Sequence, residues 1–335
     1  MTDLLLFLTI LVALGFDFTN GFHDTANAVA TTIGTRALPP RPAIIFSATL
    51  NLVGAIVATQ LLHTKVADTI GGLVKPHGGI ALGFIMAALI GAIAWNLITW
   101  RAGLPSSSSH ALIGGLLGMG VVGYGLAAIK SKTLVTTIIA LVTSPIVGLI
   151  LAYLVMVLLS NLLKNAHPAP ANRVFRRLQI LSSAFVSFSH GANDSQKTMA
   201  IITLALVSSH HLKKFAVPAW VVLIAALAIG LGTYAGGWRI IRTMGTRIIK
   251  LQPINGFAAE TVGALVIQVA TQLSQPVSTT HVVSGAVMGS GATSRLSAVR
   301  WGVARNIVVA WIFTIPAAAV VAGILTLVMK AAGVA

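Results

Sequence analysis

PSSSSHALIGGLLG, residues 105–118, and PVSTTHVVSGAVMG, residues 276–289, are two copies of one segment at an offset of 171 (276 − 105). The leading proline, one serine, the histidine and two glycines are identical, and two further serines face threonines. In each copy hydroxyls follow a proline and precede a glycine-rich apolar stretch, which reads as the N-terminus of a half-helix inside a membrane. Such an end exposes backbone N–H groups without intrahelical acceptors and carries the positive end of the helix dipole, so an oxyanion suits it. Ser107, Ser108 and Ser109 with Ser278, Thr279 and Thr280 are therefore the candidate anion-binding set. A single serine run in an apolar helix is more often a packing or back-bonding device. The duplication is what favours a site.

Outward from these copies the repeat continues. Phe18, Gly21, Asp24 and Ala30 match Phe188, Gly191, Asp194 and Ala200 at an offset of 170, and Thr143 and Pro145 match Thr314 and Pro316 at 171. Three matches in order at nearly one offset mark a duplication. Apolar stretches long enough to cross about 30 Å of hydrocarbon recur from end to end. Crossings are expected near 3–33, 43–62, 79–100, 105–128 and 133–160, then near 178–207, 215–236, 257–274, 276–293 and 303–329. Those at 3–33, 105–128, 178–207 and 276–293 are interrupted by polar residues, with breaks expected at the glycines beside Asp24 and Asp194.

The expected fold is an all-α polytopic membrane protein. Residues 1–160 form the first repeat, 161–177 a short basic cytoplasmic linker, and 178–335 the second repeat. Five crossings per half is an odd number, so the second half enters from the opposite side. That inverted-topology repeat, with broken or re-entrant helices, is a transporter architecture with its site near the midplane.

Composition agrees. Of 335 residues 56% are hydrophobic and only 8% charged, against about 25% charged in soluble domains. The formal charge of +16 does not imply nucleic acid, because membrane proteins collect Lys and Arg in cytoplasmic loops. With both termini outside, fourteen basic residues, including every arginine, fall inside and seven lysines outside, leaving Lys197 in the membrane. Residues 4–14 lack the basic start of a signal peptide and read as part of the first crossing. There is no cysteine, hence no disulfide and no thiolate site.

Only six acidic residues occur: Asp3, Asp17, Asp24, Asp68, Asp194 and Glu260. Asp24 and Asp194 are related by the repeat. A bare carboxylate in hydrocarbon costs several kcal/mol unless it is paired or wet, so the two are expected to meet at one site, a metal or proton site, rather than to cap helices separately. Asn27 and Asn193 flank them and can donate to an anion or ligate a cation. Lys197, one turn beyond Asp194, can neutralise it; its counterpart is Asn27. Glu260 has no partner in the first half and is read either as a peripheral polar group or as a proton acceptor behind the site. His110 and His281 are read as ring N–H donors fixing their turns, with a metal pair as the alternative.

With two aspartates and no arginine at the expected site, anion binding needs the helix ends plus a cation or proton, and that requirement couples the two ligands reciprocally. A carboxylate can also accept the proton of hydrogen phosphate, which sulfate at neutral pH lacks. GxxxxGK[ST], GxSxG and HExxH are absent, which removes the support for an ATP-driven pump, a hydrolase or a zinc protease.

NGFHDTANAVAT (residues 20–31), GLPSSSSHALIG (103–114), SFSHGANDSQK (187–197) and QPVSTTHVVSG (275–285) closely resemble the inorganic phosphate transporter (PiT) family over essentially the whole chain. The likeness is strongest to the bacterial low-affinity, proton-coupled branch. It implies phosphate import as a neutral complex with magnesium or another divalent cation, coupled to protons, in the plasma (inner) membrane of a prokaryote, and often a dimer. No tightly bound cofactor is expected. By motif, Asp24 and Asp194 would form the cation or proton part of the site, and Ser107, Ser108, Ser278 and Thr279 with Asn193 would hold the phosphate. His23 stands where the first motif often has Asn, which favours proton over sodium coupling. Gln196 and Lys197 replace the Ala-Asn of the first motif. A sulfate permease or a sodium-coupled phosphate symporter of the same fold is the alternative.

Overall fold

A chain this apolar can satisfy its backbone in hydrocarbon only through helices or closed barrels, and it does so with helices. The computed structural model describes residues 2–75 and 79–334. The first half comprises α1 (Thr2–Gly34), α2 (Pro40–Gln60), α3 (Val66–Gly71), α4 (Leu82–Ala102), α5 (Ser108–Tyr124) and α6 (Ser131–Leu162). The second comprises α7 (Pro168–Ser208), α8 (Ala219–Ala235), α9 (Trp238–Arg242), α10 (Pro253–Gln272), α11 (Thr279–Ala292) and α12 (Trp301–Ala331), with a π-helical turn at Thr243–Arg247.

Six helices (α1, α2, α4, α6, α10 and α12) are individually long and apolar enough to cross a membrane, and α8 with α9 and its π turn, bent by 59°, makes a seventh. The remaining expected crossings differ for two reasons. With 17 and 14 residues, α5 and α11 rise only about 26 and 21 Å; each is completed by an extended lead-in through residues 105–107 or 276–278. The third case, α7, has 41 residues, but its middle is polar.

One expectation is corrected. Neither α1 nor α7 breaks at its Gly–Asp motif. The glycines serve close approach instead: a Cβ on Gly21 would lie 2.4 Å from the Ile229 carbonyl of α8, and one on Gly191 2.0 Å from the Asn51 carbonyl of α2. The linker over 161–177 is helical from Pro168 onward, where a proline in the first turn is favourable.

The packing repeats with the sequence. The α1–α8 pair corresponds to α7–α2, α4–α1 to α10–α7, and α5–α12 to α11–α6. Each half-helix therefore lies on the proline-containing helix of the opposite half (Pro145 in α6, Pro316 in α12).

The connections locate both ends of the bundle. The α4–α5 connection lies at one end, where Thr243 donates to the Gly103 carbonyl at 2.9 Å. α5 leaves at the other, where the Lys75 and Lys130 amides bond to Ala128 and Leu73. α11 is entered from this second end, with Thr69 donating to the Ser274 carbonyl at 2.7 Å. Its far side returns to the first end, where the Arg300 amide meets the Ile248 carbonyl. The half-helices thus point in opposite directions and meet N-terminus to N-terminus, Ser109 Oγ donating to the Val277 carbonyl at 2.9 Å. Both chain ends are at the second end: Val334 packs on Gly83, and the first turn of α1 shares a cavity with Ile80–Leu82.

Two apolar cores sandwich the polar level. α1 gives Leu6, Ala13 and Phe16 to one and Ala26, Ala28, Val29 and Ala30 to the other. Between them lie the residues that carry the chemistry.

Candidate functional site

The duplicated aspartates meet. Asp24 of α1 and Asp194 of α7 are both buried, and His190 Nε2 stands between them, 3.9 Å from Asp24 Oδ2 and 3.6 Å from Asp194 Oδ2. Onto this pair the half-helices aim hydroxyls of their first turns. Ser108 Oγ lies 3.0 Å from Asp24 Oδ2 and also within reach of Asn20 Oδ1. Thr280 Oγ1 lies 3.0 Å from Asp24 Oδ1, and Thr279 Oγ1 3.5 Å from Asp194 Oδ2. Asn27 Nδ2 donates to Thr280 Oγ1 at 3.0 Å. The carboxylates, Asn27 and the hydroxyls of Ser108, Thr279 and Thr280 thus come together as the repeat requires.

Lys197 joins them. Its Nζ is fully buried, 2.6 Å from Asp194 Oδ1, and bonds Ser109 Oγ and the Val277 carbonyl. One ammonium therefore ties α7 to both half-helices. Among the described residues it is the only Lys or Arg in ion-pair contact with either aspartate. With neutral imidazoles the centre carries one net negative charge, from two carboxylates and one ammonium.

Among the expected anion ligands, Ser107, Ser278 and Asn193 make other contacts in this arrangement. Ser107 and Ser278 are N-caps: each accepts the amide of the histidine three residues on, at 3.1 and 3.2 Å, which satisfies one otherwise orphaned helix donor. Asn193 points away from the aspartates. Its Nδ2 donates to Thr271 Oγ1 at 2.8 Å and the Gln275 carbonyl at 3.2 Å, and its Oδ1 accepts from the Val277 amide. It shapes the lead-in to α11. Because His110 N serves the cap, the N–H groups of Ser108 and Ser109 precede it at the helix end, and those of Thr279 and Thr280 likewise; these lack intrahelical acceptors.

The histidines divide. His110 Nδ1 bonds Ser107 Oγ at 2.8 Å, a turn-fixing contact. Its ring lies 4.4 Å from that of His281, which stacks on Trp311 at 3.9 Å, and Trp311 in turn donates to the Pro105 carbonyl. His23 Nδ1 bonds Asp24 Oδ1 at 2.8 Å. Glu260 is not peripheral: fully buried, it accepts from Thr31, Thr32, Gln179 and Ser182, joining α1, α7 and α10 beyond the aspartates.

His190 and Asn20 were not anticipated. A signal existed in the motifs themselves, which read NGFHD over 20–24 and HGAND over 190–194, so that Asn and His exchange places between halves. Asp24, His190 and Asp194 each offer one ligand atom within 4.8 Å of the others, enough to hold a metal ion. His190 Nε2, Asn27 Oδ1 and Asn20 Nδ2 are buried without a hydrogen-bond partner. Buried polar groups are rarely left so. The centre offers carboxylates and an imidazole to a cation, and hydroxyls, helix-end N–H groups and an ammonium to an anion, side by side.

Comparison with known proteins agrees with that chemistry. Residues 20–322 match the model of the phosphate transporter family, PHO4. A probable low-affinity inorganic phosphate transporter of Bacillus subtilis (strain 168) is 45% identical over 96% of this chain and 97% of its own length. One from Rhizobium meliloti (strain 1021) is 48% identical over 94% of this chain and 93% of its own. A solved structure described as the sodium-dependent phosphate transporter superposes with a TM-score of 0.88 at 26% identity, covering 98% of this chain and 99% of that one. These relatives are transporters, not enzymes. The chain is a multi-pass membrane protein and belongs to the phosphate transporter family.

Proposed function

We propose that the protein is a secondary active symporter that imports inorganic phosphate coupled to protons, with phosphate carried as a neutral complex with magnesium or another divalent cation. The observation that carries this reading is the convergence of two oppositely directed helix N-termini on a duplicated carboxylate pair. Hydrogen phosphate brings two negative charges to a centre that already holds one, so it binds only with a compensating cation. The carboxylates and His190 suit that cation; Ser108, Thr279, Thr280 and the helix-end N–H groups suit the phosphate oxygens. The opposed half-helices and the repeated packing support an inverted repeat, and alternating access then follows from rocking one half against the other. The basic residues favour placing the end with both termini outside the cell.

Sodium coupling is the second reading, favoured by the likeness to the sodium-dependent phosphate transporter. Lys197 argues for protons: its ammonium already occupies the side of Asp194 where a sodium ion would gain most. Radiolabelled phosphate uptake into proteoliposomes, with proton, sodium and magnesium gradients varied separately and sulfate as competitor, decides the matter. Accumulation on an inward proton gradient, enhanced by magnesium and indifferent to sulfate, is the expected result. Dependence on sodium alone overturns the coupling ion, and strong sulfate competition overturns the substrate.

A further inference from the structure

Asp17 is an acid of α1 that the centre described above leaves unused. It is fully buried, yet neither carboxylate oxygen has a hydrogen-bond partner, and Asn20 Nδ2 and Thr198 Oγ1 beside it are also unpartnered. Glu260, equally buried, is bonded by four side chains. A carboxylate with no donor within hydrogen-bond distance is costly as a bare anion in such surroundings.

Its surroundings follow from helix geometry. Asn20 and Asp24 lie three and seven residues beyond Asp17, on the same face of α1. Lys197 and Thr198 lie three and four residues beyond Asp194 on α7. The two helices run antiparallel, the start of α1 sharing a cavity with Ser208 at the end of α7. A step back along α1 and a step forward along α7 therefore meet, which brings Asp17 toward the level of Lys197 and Thr198. Among the other titratable groups on helices against α1, His190 stands between Asp24 and Asp194, Glu260 is bonded to Thr31 and Thr32, His110 to Ser107, and Arg239 to the Arg101 carbonyl, while His281 stacks on Trp311.

In the present arrangement Lys197 is bonded to Asp194. We propose that Asp17 is the binding site of the coupling proton, and that its protonation decides whether Lys197 serves the anion centre. When Asp17 releases its proton to water, the bare carboxylate draws the ammonium away from Asp194. The centre is then left with two uncompensated carboxylates and repels phosphate. When the proton returns, Lys197 returns to Asp194 and the centre loses one negative charge. Proton and anion then favour each other's binding, which is the sign that symport requires. The only proton that moves is that of Asp17. The device exists in one half alone, since the counterpart of Asp17 is Ser187, bonded to Ser47 and the Ser183 carbonyl, and that of Lys197 is Asn27.

This inference rests on the proton-coupled reading above, and its test separates the two. Binding of radiolabelled phosphate to the purified full-length protein is measured without any gradient, at mildly acid and mildly alkaline pH, for wild type and Asp17→Asn. The ionisation of phosphate itself affects both proteins alike. Between the two pH values wild type is expected to lose affinity on the order of tenfold more than Asp17→Asn. In proteoliposomes the variant keeps phosphate counterflow but loses accumulation on a proton gradient, and Asp17→Glu regains it. Equal pH dependence in wild type and Asp17→Asn overturns the switch. Should Asp17→Asn fail to fold, Asp17→Ser, which installs the residue type of the other half, is the second arm: with no carboxylate to ionise, the same excess pH dependence must vanish, and its persistence overturns the proposal. Wild-type accumulation on sodium alone overturns the proton reading, while the gradient-free binding ratio still decides the switch.

Discussion

Asp24 and Asp194 occupy the same place in the two copies of one motif, yet their surroundings differ. Asp24 is held by His23, Ser108 and Thr280, none of which need carry charge. Asp194 is held by an ammonium at 2.6 Å. The duplication fixes where the carboxylates stand; the divergence at 20/190, 23/193 and 27/197 decides what each can do. Neutral hydroxyls can be traded for an incoming ion with little loss, because each such bond is worth only about 0.5–1.5 kcal/mol net. A buried ion pair is not so easily opened unless another carboxylate takes the cation. Asp24 is therefore the acid open to the travelling cation, and Asp194 the acid whose charge the protein regulates from within.

That asymmetry can be broken most severely at the aspartates. Asp24→Asn is expected to reduce phosphate accumulation to background with folding intact, since only neutral contacts are lost; uptake at the wild-type rate would remove Asp24 from the mechanism. Asp194→Asn is expected to lose uptake and also about 3–5 kcal/mol of stability, because Lys197 is left as an uncompensated buried charge. Thermal unfolding in detergent distinguishes the two variants. Adding Lys197→Met to Asp194→Asn should recover most of that stability without recovering transport. A double variant no more stable than the single would mean that the ion pair is not what holds α7 to the half-helices.

A smaller effect is expected where the halves are alike. A Cβ on Gly118 would lie 2.1 Å from the Ala319 carbonyl, and one on Gly289 2.1 Å from that of Leu149. Gly118→Ala and Gly289→Ala should each destabilise by about 1–3 kcal/mol through forced separation of a half-helix from its partner. Similar losses in melting temperature are the outcome to look for, and one tolerant site would show that the two packings are not equivalent. The smallest effect belongs to the hydroxyls. Ser108→Ala and Thr279→Ala should each weaken phosphate binding by up to about tenfold, as expected for one neutral hydrogen bond, with folded yield unchanged. Unaltered affinity in both would remove those hydroxyls from the anion site.

Much of the molecule was legible in its residues. The duplicated PSSSSH and PVSTTH runs announced two half-helices, and the shortage of charge announced a membrane. The meeting of Asp24 with Asp194 followed from the impossibility of leaving both alone in hydrocarbon. The residues with unexpected contacts are instructive. Ser107 and Ser278 look the same in sequence as the serines and threonine after them, but the first hydroxyl of a helix is drawn to its own backbone as a cap. Asn193 was grouped with the anion ligands by motif, yet its amide holds the 275–277 lead-in. The breaks expected at Gly21 and Gly191 are absent because a glycine can mark the close approach of a second backbone as well as a bend.

The sequence by itself determined that this chain crosses a membrane repeatedly, that it is built of two copies, and that its few polar residues cluster at one level. Period, spacing and the cost of charge in hydrocarbon are local properties, carried by each segment on its own. Only the tertiary structure decided which partners those polar groups take. It set His190 between the two aspartates, gave Lys197 to Asp194, surrounded Glu260 with four donors and left Asp17 with none. These outcomes depend on how α1 and α7 cross and on which side chains arrive from α5, α10 and α11. A hydrogen bond is decided within a fraction of an ångström, between residues more than two hundred positions apart in the case of Thr31 and Glu260.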